Sequence, residues 1–233
     1  MAARRVIVAA LVAVTVLSGG FLFWRYVWFF RDPPRTPPAE EGFLSPADGT
    51  VVYVRRVEPG EDVVVIKQGV RAKVQDILRQ DVGQPMLIIG VFMSPFDVHY
   101  NRAPLTASIG LIRRHPAIGE NAYMGAMHWR TLFDLAPRYA GSGHIVQNER
   151  TVTHFIGEYR GAPLSYYVVQ IGARTINGID SYYREGERVE RGAVFGMIRI
   201  GSQVDLIVPW QPGLTPRVQP GDRVRAGETI MIK

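Results

Sequence analysis

The sequence predicts a mainly β domain with a few short helices, carried behind an N-terminal membrane-anchoring helix. Three observations predict it. Val6 to Trp24 contain no charged residue; beyond Asp32, short β-branched apolar runs alternate with Gly- and Pro-rich turn signals; and a G-(D/E)-R-V-x-x-G pattern occurs twice near the C-terminus.

The apolar N-terminal run follows Arg4-Arg5 and gives way to Arg25, Tyr26, Trp28, Phe29, Phe30 and Arg31. As a helix it spans about 28 Å, close to the hydrocarbon core of a bilayer. The aromatic and basic girdle after it suits a lipid–water interface. A cleaved signal peptide would need a small-x-small site before the mature sequence, and the aromatic flank is wrong for one. Ser18-Gly19-Gly20 interrupts the run, so a tilted single span and a re-entrant hairpin both remain open. Arg4 and Arg5 on one side, against Arg25, Arg31 and Arg35 on the other, do not fix an orientation.

Residues 1–31 are therefore assigned to the anchor and its girdle, 32–44 to a proline-stiffened linker, and 45–233 to the folded domain. Strands are expected over Gly49–Val57, Asp62–Ile66, Met86–Met93, Thr151–Ile156, Ser165–Ile171, Ala193–Ile200 and Val204–Val208. Helices are expected over Val70–Arg79 and Met124–Phe133. The repeated pattern, Arg184 to Phe195 and again Gln219 to Ile230, places a short strand between tight glycine turns. Such turns join the facing sheets of lipoyl- and biotinyl-like β-sandwiches, whose elements are expected here.

The 233 residues carry a net charge of +6 and no cysteine. A disulfide framework, a thiolate nucleophile and a cysteine-based metal site are thereby excluded. Arg and Lys are scattered singly, which favours an anionic membrane surface over a nucleic acid as partner.

Two apolar runs flank Gly201-Ser202. A rigidly held Gly-Ser bond can cleave itself: serine Oγ attacks the preceding carbonyl, and glycine has no Cβ to obstruct the approach. The resulting ester can eliminate to dehydroalanine, which hydrolyses to a pyruvoyl ketone and ammonia. Upstream, Ser45-Pro-Ala-Asp48-Gly-Thr-Val51 sets a carboxylate in a tight turn before a strand. Ser94-Pro-Phe-Asp97-Val-His99-Tyr-Asn101-Arg102-Ala-Pro104 packs four polar functions behind an apolar strand.

Together with Phe29 to Arg35, Asn148-Glu-Arg150 and Gly192 to Val204, these segments resemble phosphatidylserine decarboxylases of the short, single-anchor type. The resemblance implies that residues 45–233 are a catalytic domain and the chain a proenzyme, cut between Gly201 and Ser202 into 1–201 and 202–233. Ser202 would become the N-terminal pyruvoyl group, a covalent cofactor made from the chain; no metal is expected. In the family, an Asp of the S-P-x-D-G segment assists self-processing, which maps onto Asp48. A His of the P-x-D-x-H segment serves decarboxylation, which maps onto His99. Longer bacterial relatives carry a second His three residues later. Here that residue is Arg102, which cannot act as a base because its pKa lies above about 12. Either His99 serves both steps or His154, on an expected strand, reaches in. Arg102 suits a carboxylate or phosphate instead. His115, His128 and His144 lie in polar stretches and are expected at the surface.

The implied reaction converts phosphatidylserine to phosphatidylethanolamine and CO₂ in phospholipid biosynthesis. The lipid amine forms a Schiff base at Ser202, the conjugated carbonyl takes up the electrons released with CO₂, and His99 returns a proton. Expected partners are phosphatidylserine, an anionic membrane surface and the chain's own two fragments, with a homo-oligomer left open. The expected location is the cell membrane, at the cytoplasmic face of the inner membrane. The alternatives are a pyruvoyl decarboxylase of another amino-containing substrate, archaetidylserine included, and a non-catalytic membrane-anchored adaptor with a lipoyl-like domain. Against the adaptor, no long heptad hairpin is visible, and Met197-Ile-Arg199 has arginine where a carrier domain presents lysine.

Overall fold

The computed structural model describes residues 1–67, 70–174, 178–199 and 201–233. They divide into two compact units, Met1–Pro33 and Pro34–Lys233. In the first unit, helix α1 (Ala2–Phe23) continues into a π-helical turn, Trp24–Trp28. By length and composition Ala2–Trp28 is long and apolar enough to cross a membrane. Ser18-Gly19-Gly20 does not interrupt it. Glycine lowers helix propensity by about 1 kcal/mol, but it keeps the backbone donor and acceptor that the ladder needs. The continuous helix replaces the hairpin alternative.

The second unit begins with β1 (Phe43–Leu44), β2 (Gly49–Val57), β3 (Asp62–Lys67), β4 (Val70–Lys73) and helix α2 (Val74–Leu78). Next come β5 (Met86–Met93), β6 (Tyr100–Arg102), β7 (Ala107–His115), α3 (Gly125–Leu132) and α4 (His144–Gln147). It closes with β8 (Arg150–Tyr159), β9 (Ala162–Gly172), β10 (Ile179–Ser181), β11 (Arg188–Val189), β12 (Val194–Ile198), β13 (Ser202–Pro209), β14 (Arg223–Val224) and β15 (Ile230–Ile232). Eight strands form one antiparallel sheet in the order β11-β7-β8-β9-β13-β5-β2-β14. β10-β12-β6, β1-β15 and β3-β4 form smaller sheets.

The central strands β5 and β13 are buried along their whole length. A strand covered on both faces reads as a continuous apolar run, which is why both were legible. Leu87, Ile89, Val91 and Met93 meet Val204, Leu206 and Phe155 in one core. Met86, Ile88 and Phe92 point the other way, onto Ile77, Met124, Met127 and Ile145.

The sequence echo is a structural repeat. Gly227 N–H donates to Ser45 O, and Gly192 N–H donates to Ala103 O. Val51 pairs with Asp222 and Gly221 through backbone bonds as Ile109 pairs with Glu187 and Gly186. Edge strand β14 joins β2 as edge strand β11 joins β7. The two copies also exchange bonds reciprocally: Leu44 N–H to Pro104 O and Arg102 N–H to Pro46 O, both 3.0 Å. A local two-fold therefore relates the copies, and it curls the large sheet until its edges meet at Gly192 and Gly227. A Cβ on Gly227 would lie 3.5 Å from Gly192 O, and Gly227 sits at φ +74°.

One expected helix differs from the structure, one strand was not expected, and one expected strand is shorter. Val70–Arg79 begins as a strand paired to β3 and turns helical only at Val74. Val70-Arg71-Ala72-Lys73-Val74 alternates with period two, which suits a strand. β7 was not expected, because Gly110, Arg113 and Arg114 dilute its apolar pattern. Of the expected strand Ala193–Ile200, Val194–Ile198 pairs with β6 and β10, while Ile200 lies outside the described residues.

Candidate active site

Gly201 and Ser202 stand where the chain enters β13. Gly201 has φ +63°, a conformation that costs an L-residue with a side chain roughly 1–2 kcal/mol. Its carbonyl oxygen accepts the Ala173 N–H at 3.0 Å. Ser202 is fully buried, in register with Met93 of β5 and Gly172 of β9. Its hydroxyl donates to Met93 Sδ at 3.2 Å, a weak acceptor that leaves Oγ electron-rich but unactivated. Around Met93, Asn101 Nδ2 approaches the same sulfur at 3.8 Å, and Gln170 Nε2 donates to Asn101 Oδ1 at 2.7 Å.

His99 is fully buried, with Nδ1 2.9 Å from the Asp97 carbonyl. A carbonyl only accepts, so Nδ1 carries the proton and Nε2 is the basic nitrogen. Asp97 is itself anchored: its carboxylate accepts Ser94 N–H at 2.8 Å and pairs with Arg223. Asp48 accepts Ala226 N–H at 2.7 Å on one oxygen and Arg35 at 2.7 Å on the other. Burial pushes its pKa above the ordinary aspartate value and the nearby Asp97 charge adds to this, while Ala226 N–H and Arg35 pull it back. Arg102 donates to Gly192 O at 2.9 Å and packs its stem against Gly227, so it braces the two glycine turns.

His154 lies elsewhere. It stacks on Tyr167, whose partner on β13 is Ile207. Five residues of extended chain put that level roughly 17 Å along β13 from Ser202. Ile207 also faces the second core, away from the Ser202–Met93 side.

Two of the three histidines expected at the surface are placed differently. His144 is fully buried, its Nε2 3.0 Å from Gln203 Oε1. Burial holds its pKa down at about 4, so it is neutral at pH 7. It caps a network in which Gln203 donates to Tyr53 and Asp205, and burial lifts the Asp205 carboxyl to about 6. A polar stretch hid this because the partner of His144 Nε2, Gln203, lies on a strand far away in sequence. His128, on α3, lines a cleft of about 180 Å³ together with Met93, Tyr123, Met124, Ala173 and Gly201. A second cavity of about 270 Å³, bordered by Ser94, Leu132 and Arg223, shares Phe92 and His128 with it. His128 Nδ1 is buried without a hydrogen-bond partner among the described residues. His115 is half-buried, and burial lowers its pKa. Sequence reasoning also missed Ala173 and Gln170, which carry no local signal.

Asn148-Glu149-Arg150 is part of the same construction. Asn148 Nδ2 donates to Gly172 O at 2.6 Å, and Arg150, almost fully buried, spends its guanidinium on backbone carbonyls of Asn148, Asp76, Ile77 and Ile145.

Residues 22–232 match the phosphatidylserine decarboxylase family. A phosphatidylserine decarboxylase proenzyme of Chlorobium limicola is 31% identical over 214 residues, 91% of this chain and 81% of the relative. One from Salinibacter ruber is 33% identical, covering 94% of this chain and 78% of the relative. A Methanothermobacter thermautotrophicus protein, provisionally named an archaetidylserine decarboxylase proenzyme, is 34% identical, covering 88% and 78%. The match spans the strained glycine, the buried serine and the segments packed around them: this chain belongs to the phosphatidylserine decarboxylase family.

Proposed function

We propose that the chain is a self-processing proenzyme that decarboxylates phosphatidylserine to phosphatidylethanolamine. The observation that carries this reading is the Gly201–Ser202 bond: left-handed at Gly201, hydrogen-bonded at its carbonyl, buried at its hydroxyl, and bordering the cleft. Ser202 Oγ adds to the Gly201 carbonyl carbon, and the Ser202 amide nitrogen leaves as an amine, giving an ester. Loss of the Ser202 α-proton then expels Gly201 as a carboxylate, and hydrolysis of the dehydroalanine releases ammonia.

The residues fit a pyruvoyl group at Ser202, since that position heads β13 and adjoins a cleft with both apolar walls and a histidine. Once formed, the group supplies an electron-withdrawing ketone to which an amine can add. The other roles belong to side chains of the domain. His99, held by the Asp97 carbonyl, returns a proton to the carbon that loses CO₂. Asp48, a buried carboxyl held by Ala226 N–H and Arg35, assists processing. Phe92, Tyr123 and Leu132 offer apolar walls to the lipid body, and His128 offers a donor to its headgroup. Arg102 serves the frame, since its guanidinium grips the Gly192 turn.

Helix α1 supports membrane association, and the net charge of +6 suits an anionic surface. The proposed location is the cell membrane, at the cytoplasmic face of the inner membrane, with the two fragments staying together through the β13 ladders. The test is the intact mass of the purified protein under denaturing conditions. Two chains, 1–201 and 202–233, are expected, the smaller resisting Edman degradation. Ser202→Ala should give one uncut, inactive chain. A single chain in a sample that decarboxylates phosphatidylserine would overturn the reading.

A further inference from the structure

One peptide unit stands between Asn148 and the scissile carbonyl. The Gly172 carbonyl accepts from Asn148 Nδ2 at 2.6 Å, and the Ala173 N–H of the same peptide donates to Gly201 O at 3.0 Å. Hydrogen bonds in series polarise one another: density drawn toward the Gly172 oxygen leaves the Ala173 N–H a stronger donor. Asn148 is fixed for this. It is fully buried, its Oδ1 accepts Ala122 N–H at 2.7 Å, and its Nδ2 also reaches Ala122 O at 2.9 Å. Gly172 N–H donates to Glu149 O at 3.1 Å, so the segment is held from both sides.

We propose that Asn148 is a positioning residue for self-cleavage, acting through the Gly172–Ala173 peptide to aim and strengthen one N–H donor at the Gly201 oxygen. This rests on the reading of Gly201–Ser202 as the scissile bond. In the step concerned, the Ser202 Oγ–carbon bond forms and the carbonyl π pair moves onto the Gly201 oxygen. The pair then returns as the C–N bond breaks, and the hydroxyl proton ends on the Ser202 nitrogen. Charge develops on the oxygen that the Ala173 N–H already holds at 3.0 Å in the intact peptide, where a donor aimed at the growing charge is most useful. Buried and preorganised, this donor needs no rearrangement during the reaction. This relay ties Asn148-Glu149-Arg150 to the site, although among the described residues no hydrogen bond joins a side chain of the three to Ser202.

Asn148→Asp keeps an acceptor for Ala122 N–H and removes both Nδ2 donations, but sets a carboxylate against two carbonyl oxygens. Asn148→Ser removes the same donations without adding charge, so cleavage is expected to slow in both. Full-length wild type, Asn148→Asp and Asn148→Ser are followed by denaturing gel after pulsed synthesis. Removing an oxyanion donor outright costs about 10²–10³ in rate; Asn148 acts one bond away, so cleavage about tenfold slower is expected. In the uncleavable Ser202→Ala chain, the Ala173 amide proton resonance should lie downfield and move upfield when Asn148→Asp is added. Cleavage of Asn148→Asp at the wild-type rate, or an unmoved Ala173 resonance, would overturn the proposal. If wild type never cleaves, the scissile-bond reading fails, while the resonance still tests whether Asn148 polarises this peptide.

Discussion

At the turn before β2, the Asp48 carboxylate accepts Ala226 N–H at 2.7 Å; at the matching turn before β7, the Thr106 hydroxyl accepts Arg191 N–H at 3.0 Å. The two positions correspond under the local two-fold, as do Ser45 with Ala103 and Val51 with Ile109. The backbone frame therefore asks only for an oxygen acceptor here, and a neutral hydroxyl suffices. Asp48 brings a charge that burial penalises and that Arg35 must offset. What exceeds the frame's requirement is a candidate for chemistry. The same comparison applies before β6 and β1: His99 is fully buried, whereas the matching Glu41 is exposed.

The largest expected effect comes from removing that asymmetry at His99. His99→Ala should still cleave at Gly201-Ser202 but release CO₂ from phosphatidylserine about 10²–10⁴-fold more slowly, the usual worth of a positioned acid–base group. An uncut His99→Ala chain would instead assign both steps to this residue.

Asp48→Thr copies the other half of the repeat. It should fold, because a hydroxyl caps the same turn at Thr106, yet cleave about 10²-fold more slowly if the carboxyl assists processing. Thr106→Ala supplies the contrast. It should lower stability by about 1 kcal/mol through the lost turn bond and leave the cleavage rate alone. Equal cleavage by Asp48→Thr and wild type would reduce Asp48 to a turn cap.

The last check concerns the second-core face of β13, where Gln203 meets His144. His144 has its pKa lowered to about 4, so the unfolded chain binds its proton first as the pH falls. The stabilisation from a neutral His144 is complete above its ordinary value of 6.5 and is lost toward pH 4. Asp205, raised to about 6, has the opposite sign: its cost appears as pH rises from its ordinary 3.8 through about 6. In uncut Ser202→Ala protein, adding His144→Gln should therefore shrink the stability loss between pH 7 and pH 5 by about 1–2 kcal/mol, measured by thermal melts. An unchanged pH dependence would mean that His144 is not held neutral by burial.

Much of this molecule is written locally. The N-terminal helix shows as a long uncharged run, and β5 and β13 show as runs buried on both faces. The repeat shows because each copy needs glycine where its turn takes positive φ. Gly201-Ser202 is legible as a residue without a Cβ followed by a hydroxyl between two apolar runs. β7 and the β4–α2 junction were less legible, since pairing with a neighbouring strand outweighed the weak preferences of Gly110, Arg113 and Val70–Lys73.

The sequence by itself determined where a residue without a Cβ precedes a hydroxyl between two apolar runs, which residues could carry protons, and that a β domain follows an apolar helix. Those are properties of side chains and of short-range backbone geometry. Tertiary structure decided which of these residues meet. Antiparallel registers place Met93, Ser202 and Gly172 side by side from three strands distant in sequence and set His154 beside Tyr167, far along the sheet from Ser202, while burial takes His144 inward. The donor to the Gly201 carbonyl is a backbone N–H, a group every residue but proline carries, so only the folded chain could single out Ala173.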